Sequence, residues 1–83
     1  MNTYHLGNLR IEVFRLFLEE HHLRKIESGN SGHEKWMGDN MNRPVVFQTH
    51  IDPIPEFIVR NNLRNMGLTG RDLRLWLKEK DLK

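Results

Sequence analysis

The chain contains no cysteine. Disulfide staples and thiolate metal sites are therefore excluded, and nothing marks an oxidising compartment. Serine is scarce too. Ser28 and Ser31 are the only two, and neither stands in the glycine-elbow context of a serine nucleophile, so a covalent hydrolase is not indicated. Apolar residues never run beyond three in succession, as at 16–18, 45–47, 57–59 and 75–77. The sequence thus offers no membrane span and no signal-peptide core, and a cytoplasmic location is the default expectation. Length is short as well: 83 residues make one domain, 1–83, with residues 1–7 expected as a poorly ordered lead-in. A domain of this size buries only roughly 60% of the surface its unfolded chain exposes. A deep cleft between domains is ruled out, and any chemistry has to sit on a shallow surface.

Charge of one sign is also in short supply. Thirteen Lys and Arg against 11 Asp and Glu leave a formal charge of +2, which permits a nucleic-acid partner without demanding one. Arg10, Arg15, Arg24, Arg43, Arg60, Arg64, Arg71 and Arg74 supply most of the positive charge. Arginine suits planar, bidentate phosphate contacts, but solvated helix faces account for such residues equally well. Hydrophobic residues at 37%, charged ones at 29% and a mean hydropathy of −0.67 describe a polar globular domain rather than a disordered chain.

The apolar pattern divides the chain. Asn8 is placed to cap a helix over residues 9–21, with Leu9, Val13, Leu16 and Phe17 on one stripe and Phe14 and Leu18 widening it. Residues 23–28 read as a short strand. The run 28–32, Ser-Gly-Asn-Ser-Gly, is the strongest turn signal. Residues 33–37 and 44–50 read as two strands around a polar turn at 38–42, which makes a hairpin. Pro55 fits the first position of a helix that ends near Met66, and Gly67 is its natural C′ residue. Thr69, with Asp72 three residues on, caps a last helix whose Leu73, Trp76, Leu77 and Lys80 share a face. The expected class is α+β, with a small antiparallel sheet.

Few groups can carry chemistry. Among His5, His21, His22, His33 and His50, no pair has the i, i+4 spacing of a helical zinc site, so no metal is expected. His21 and His22 are explained by the helix dipole. The glycine-rich run lacks the Lys-Ser/Thr ending of a nucleotide loop. His33 remains. It follows Gly32 at the start of a strand, so its ring should project at the surface, and Lys35 two residues on shares its face. Histidine can exchange protons near neutral pH, and an adjacent lysine can meet a phosphate. An ordinary loop histidine is the plainer alternative. The helix–Gly67–helix segment also resembles a helix-turn-helix, with Arg71, Arg74 and Lys78 on one face of the second helix, although a plain helical hairpin gives the same pattern.

Taken together, these residues resemble the HicA family, the mRNA-interferase toxins of HicA–HicB toxin–antitoxin pairs. Gly32-His33 with Trp36 is similar to the family's Gly-Ser-His signature and its following aromatic. Val45-Val46-Phe47-Gln48-Thr49-His50 is similar to its strand with a terminal histidine. Val59-Arg60, Leu63 and Met66-Gly67-Leu68 are similar to its helix and closing Gly-Leu. The likeness spans residues 9–68. Gly32 stands where the family has serine, and Glu34 where a second histidine often follows. The resemblance implies a dsRBD-like α-β-β-β-α fold, here with an extra C-terminal helix. It implies metal-independent endoribonuclease activity on mRNA without a cofactor, His33 as the catalytic residue, and a HicB-like antitoxin partner that covers the active face. Lys35 is the first expected phosphate contact, with Arg24, Lys25 and Arg43 behind it. Trp36 can stack a base, but a strand tryptophan facing helices is more readily core. A non-catalytic RNA-binding module of the same fold and a DNA-binding regulator using the last two helices stand as the alternatives.

Overall fold

The computed structural model describes residues 6–26 and 32–81. A 3-10 turn, Leu6–Asn8, leads into helix α1, Ile11–Glu20. Strands β1 (Arg24–Ile26), β2 (His33–Met37) and β3 (Val45–Gln48) follow, then helices α2 (Glu56–Asn65) and α3 (Gly70–Lys80). The class is α+β, as the alternation of patterns predicts. The sheet is an antiparallel meander in the order β1-β2-β3.

The start of the chain departs from expectation. Leu6, assigned to the lead-in, is only 3% exposed and belongs to the core; residues 1–5 lie outside the described residues. Asn8 closes the 3-10 turn instead of capping α1. The N-cap position is Arg10, whose side chain makes no capping bond. The cap comes from 41 residues away: Asp52 Oδ1 accepts the Ile11 N–H at 3.0 Å, satisfying a donor that the first helical turn leaves orphaned. Arg10 Nε donates to the same oxygen at 3.0 Å, and the Ile54 N–H donates to the Leu9 carbonyl at 2.9 Å. The 52–54 segment is thereby fastened to the head of α1.

With the helix beginning two residues later, Leu9 no longer sets its phase. Ile11, Phe14, Phe17 and Leu18 are buried, whereas Leu16, two residues from Phe14 and so on the opposite side, is 48% exposed. Phe14 meets Phe47 edge-on at 5.7 Å, joining α1 to β3, and Phe17 meets Trp76 edge-on at 5.2 Å, joining α1 to α3. α1 ends where expected, with His21 as C-cap and His22 at φ 63°.

β1 is shorter than the 23–28 expectation: Leu23 enters the core ahead of it, and 27–28 lie outside the described residues, as does all but Gly32 of the 28–32 turn. β2 occupies its expected residues. The Thr49 N–H donates to the Gly32 carbonyl at 3.1 Å, carrying the ladder one step past the His33–Gln48 pair.

β3 is one of the two edge strands of the sheet, and an exposed edge invites unwanted pairing. Here α2 covers it with side-chain amides. Asn62 Oδ1 accepts the Val46 N–H at 3.1 Å and Asn62 Nδ2 donates to the Val46 carbonyl at 2.8 Å. Asn65 Nδ2 donates to the Pro44 carbonyl at 3.3 Å. Val59 and Leu63 beside Asn62 are buried. Pro55 sits one place ahead of expectation, as the N-cap of α2. Gly67, at φ 74°, turns the chain as a C′ glycine does. Thr69 and Asp72 form a capping box, Thr69 N–H to Asp72 Oδ2 at 2.8 Å and Asp72 N–H to Thr69 Oγ1 at 3.3 Å.

Candidate functional site

Strand pairing sorts the sheet's side chains. Cα partners share a face, so Lys25, Trp36 and Val45, with Glu34 and Phe47, point toward α1. Arg24 and Met37, then Ile26, Lys35 and Val46, then His33 and Gln48, point the other way. His33 and Lys35 thus lie side by side on the face turned away from α1, as the alternation predicts. His33 is part-buried, however, and does not project freely. It lines a hollow of about 370 Å³ between β3 and the start of α2, together with Gln48, Ile51, Ile54, Phe57 and Asn61.

The other expected phosphate contacts are dispersed. Lys25 belongs to the opposite face, where its Nζ lies 3.9 Å from Glu34 Oε1. Alternation along β1 forces this, because Arg24 and Lys25 cannot share a side. Arg24 is on the His33 face but pairs with Met37, four residues along β2, or roughly 13 Å of strand from His33. Its guanidinium lies 3.6 Å from Asp39. Arg43 lies in the β2–β3 connection, at the end of the hairpin away from His33, beside Arg64, Asn40 and Asn42 in a separate polar hollow. Of the predicted set, the structure brings together only His33 and Lys35.

Trp36 is core, 6% exposed, as its alternation suggests. The unexpected member of that face is Glu34, a carboxylate only 3% exposed. Arg15 of α1 grips it with two bonds, Nε to Oε2 at 3.0 Å and Nη2 to Oε1 at 2.7 Å, and the Trp36 indole N–H donates to Oε2 at 2.7 Å. Burial pushes the Glu34 carboxyl up. The Arg15 and Trp36 hydrogen bonds and the Arg15 and Lys25 charges outweigh that and hold it below its usual range. Glu34 is therefore an ionised strut between sheet and helix, facing away from the His33 side.

Sequence reasoning missed Gln48, Phe57 and Asn61. Gln48 is legible as the partner of His33 once the hairpin register is known. Phe57 is legible from helical phase. It lies off the Val59, Asn62 and Leu63 stripe, and it is 66% exposed, unusual for an aromatic of this size. Asn61 follows it by one turn and is also exposed.

Among the described residues no three His, Cys, Asp or Glu side chains come together as a metal site, and no helix is long and apolar enough to cross a membrane. Arg71 and Lys78 of α3 are exposed and Arg74 is half-buried, while Leu73 and Leu77 of the same helix close the core. No family model matches the chain, and neither a curated protein nor a solved structure matches it significantly.

Proposed function

We propose that this chain is a metal-independent endoribonuclease of dsRBD-like fold, the toxin of a HicA–HicB-type pair, with His33 as its general acid–base. The observation that carries the reading is the placement of His33 and Lys35 on one sheet face, turned away from α1, with His33 at the wall of a hollow. The element order, a helix, three strands and then helices, is compatible with it, and so are the motif residues Gly32-His33, Trp36 and Met66-Gly67-Leu68.

The chemistry requires little. His33 takes the proton of a ribose 2′-hydroxyl as the 2′-oxygen bonds to the adjacent phosphorus. The P–O5′ bond breaks, and the proton passes from the imidazolium to the departing 5′-oxygen. The products are a 2′,3′-cyclic phosphate and a 5′-hydroxyl, and the histidine ends as it began. Lys35 offsets the charge that builds on the phosphorane oxygens. A HicB-like antitoxin in the cytoplasm would silence the enzyme by covering the same face.

One observation favours the alternative of a non-catalytic RNA-binding module: His33 is part-buried. Incubation of the purified chain with mixed RNA in excess chelator separates the two. Cleavage leaving cyclic phosphate ends, lost in His33→Ala, supports the nuclease. Binding with intact RNA supports the module. Tight, sequence-specific binding to duplex DNA instead overturns both.

A further inference from the structure

The hollow beside His33 has a composition that phosphate chemistry does not need. Phe57 supplies an aromatic face that is 66% exposed, and Ile51, at 39%, and Ile54 supply an apolar floor. Of the three side-chain amides at the same hollow, Asn62 is buried, and Gln48 and Asn61 are exposed. Among the described residues no carboxylate lines it. The acidic residues that flank it in sequence are held by arginines, Asp52 by Arg10 at 3.0 Å and Glu56 by Arg60 at 2.8 Å. Among the described residues, a strand of phosphates can therefore pass the rim without meeting an unpaired carboxylate.

We infer that this hollow is a base-binding pocket for single-stranded RNA, in which Phe57 stacks an unpaired base and the Gln48 and Asn61 amides bond its edge. The inference rests on the nuclease reading for its link to His33 and deepens it by naming what selects the substrate. An aromatic face suits any base, because every base has a π-face. A side-chain amide carries both donors and an acceptor, which is what a Watson–Crick edge requires of a reader. A duplex offers neither an unstacked face nor a free edge, so the pocket selects unpaired strands. Phe57 and Asn61 are one helical turn apart and present their side chains to the same space. The wall that carries them is fixed, because the neighbouring Asn62 commits its own amide to the Val46 backbone and holds α2 against the sheet edge.

The test is binding of 2′-fluoro RNA hexamers, one for each base, together with an abasic hexamer, followed by fluorescence anisotropy. These strands lack the attacking hydroxyl, so binding is read without cleavage. Phe57→Ala should weaken all four base-bearing strands by about tenfold or more and leave the abasic strand unchanged, and Phe57→Trp should retain binding. Gln48→Ala and Asn61→Ala should change the ranking among the four bases. Equal affinity for base-bearing and abasic strands, or RNA affinity untouched by Phe57→Ala, overturns the pocket. In the latter case, loss of a co-expressed protein partner in Phe57→Ala would assign the surface to protein docking. Base-blind binding with cleavage of ordinary RNA overturns the pocket alone. Base-dependent binding without cleavage of ordinary RNA overturns the nuclease reading alone.

Discussion

Asn62 stands to Val46 as a neighbouring strand would, its amide oxygen accepting the Val46 N–H and its amide nitrogen donating to the Val46 carbonyl. The side chain is only 4% exposed, and it converts an open sheet edge into a seat for α2. Asn62→Ala removes both bonds and leaves two backbone groups of β3 without them. The expected cost is about 2–3 kcal/mol, the sum of two such bonds with part of the desolvation penalty. Urea unfolding measures it directly. A loss below about 0.5 kcal/mol would mean that the Asn62 amide does not hold α2 to the sheet.

Glu34 and Arg15 form the second long-range tie. Gripped on one side by a guanidinium and on the other by an indole, Glu34 is held below the usual carboxylate range. Asp52 is lowered by its bond to Arg10, and Asp72 by the Thr69 backbone N–H. A carboxyl depressed in the fold contributes stability above its unfolded pKa and loses it as pH falls through the folded value. Stability should therefore be level near neutrality and decline from about pH 5 downward, in the range of unfolded carboxylates. Glu34→Gln should cost about 1–3 kcal/mol at pH 7, because Arg15 loses a charged partner. It should also flatten the acid limb. Thermal melts at pH 7, 5 and 3 on both proteins provide the check, and an unchanged acid limb in the variant would count against the Glu34 assignment.

The elements that were legible in the sequence are those whose causes are local. Gly67, Thr69 and Asp72 specify the α2–α3 junction within six residues, and the turn between β2 and β3 specifies the hairpin. What the sequence hid is what acts across the chain. Asp52 caps α1 from 41 residues away, and Asn62 meets Val46 from 16. No spacing rule connects such pairs. Glu34 is an intermediate case: strand alternation places it on the face of Trp36, so assigning Trp36 to the core already commits Glu34 to it. The site divides in the same way. The His33–Lys35 pairing follows from alternation along one strand, whereas the hollow depends on α2 meeting β3: helical phase marks Phe57 and Asn61 as lying off the buried stripe, but no local rule says which strand they stand beside.

The two lysines of the sheet test the face assignment. Lys35 lies on the His33 face and Lys25 on the Glu34 face. If RNA tracks the His33 side, Lys35→Ala should weaken single-strand binding and lower the salt slope of log Kd by about 0.7, the value for one phosphate contact. Lys25→Ala should leave the slope unchanged within error. Anisotropy titrations from 50 to 200 mM salt decide it, and the reverse order would put RNA on the face that α1 covers.

His33 carries the sharpest expectation. Histidine is the side chain best suited to pass a proton between a 2′-hydroxyl and a departing 5′-oxygen at neutral pH. His33→Ala should slow cleavage by a factor on the order of 10² or more, the scale of a general acid–base. Stability should fall by less than about 1 kcal/mol, since the residue lies at the wall of an open hollow rather than in the packed core. RNA binding should persist through Lys35 and, on the pocket assignment, through Phe57. Excess chelator should leave the wild-type rate unchanged. Single-turnover cleavage, anisotropy and thermal melts on the same two preparations separate these effects. A variant that cuts at the wild-type rate would remove His33 from the mechanism. Cleavage abolished by chelator would show instead that a metal ion does the work assigned to the imidazole.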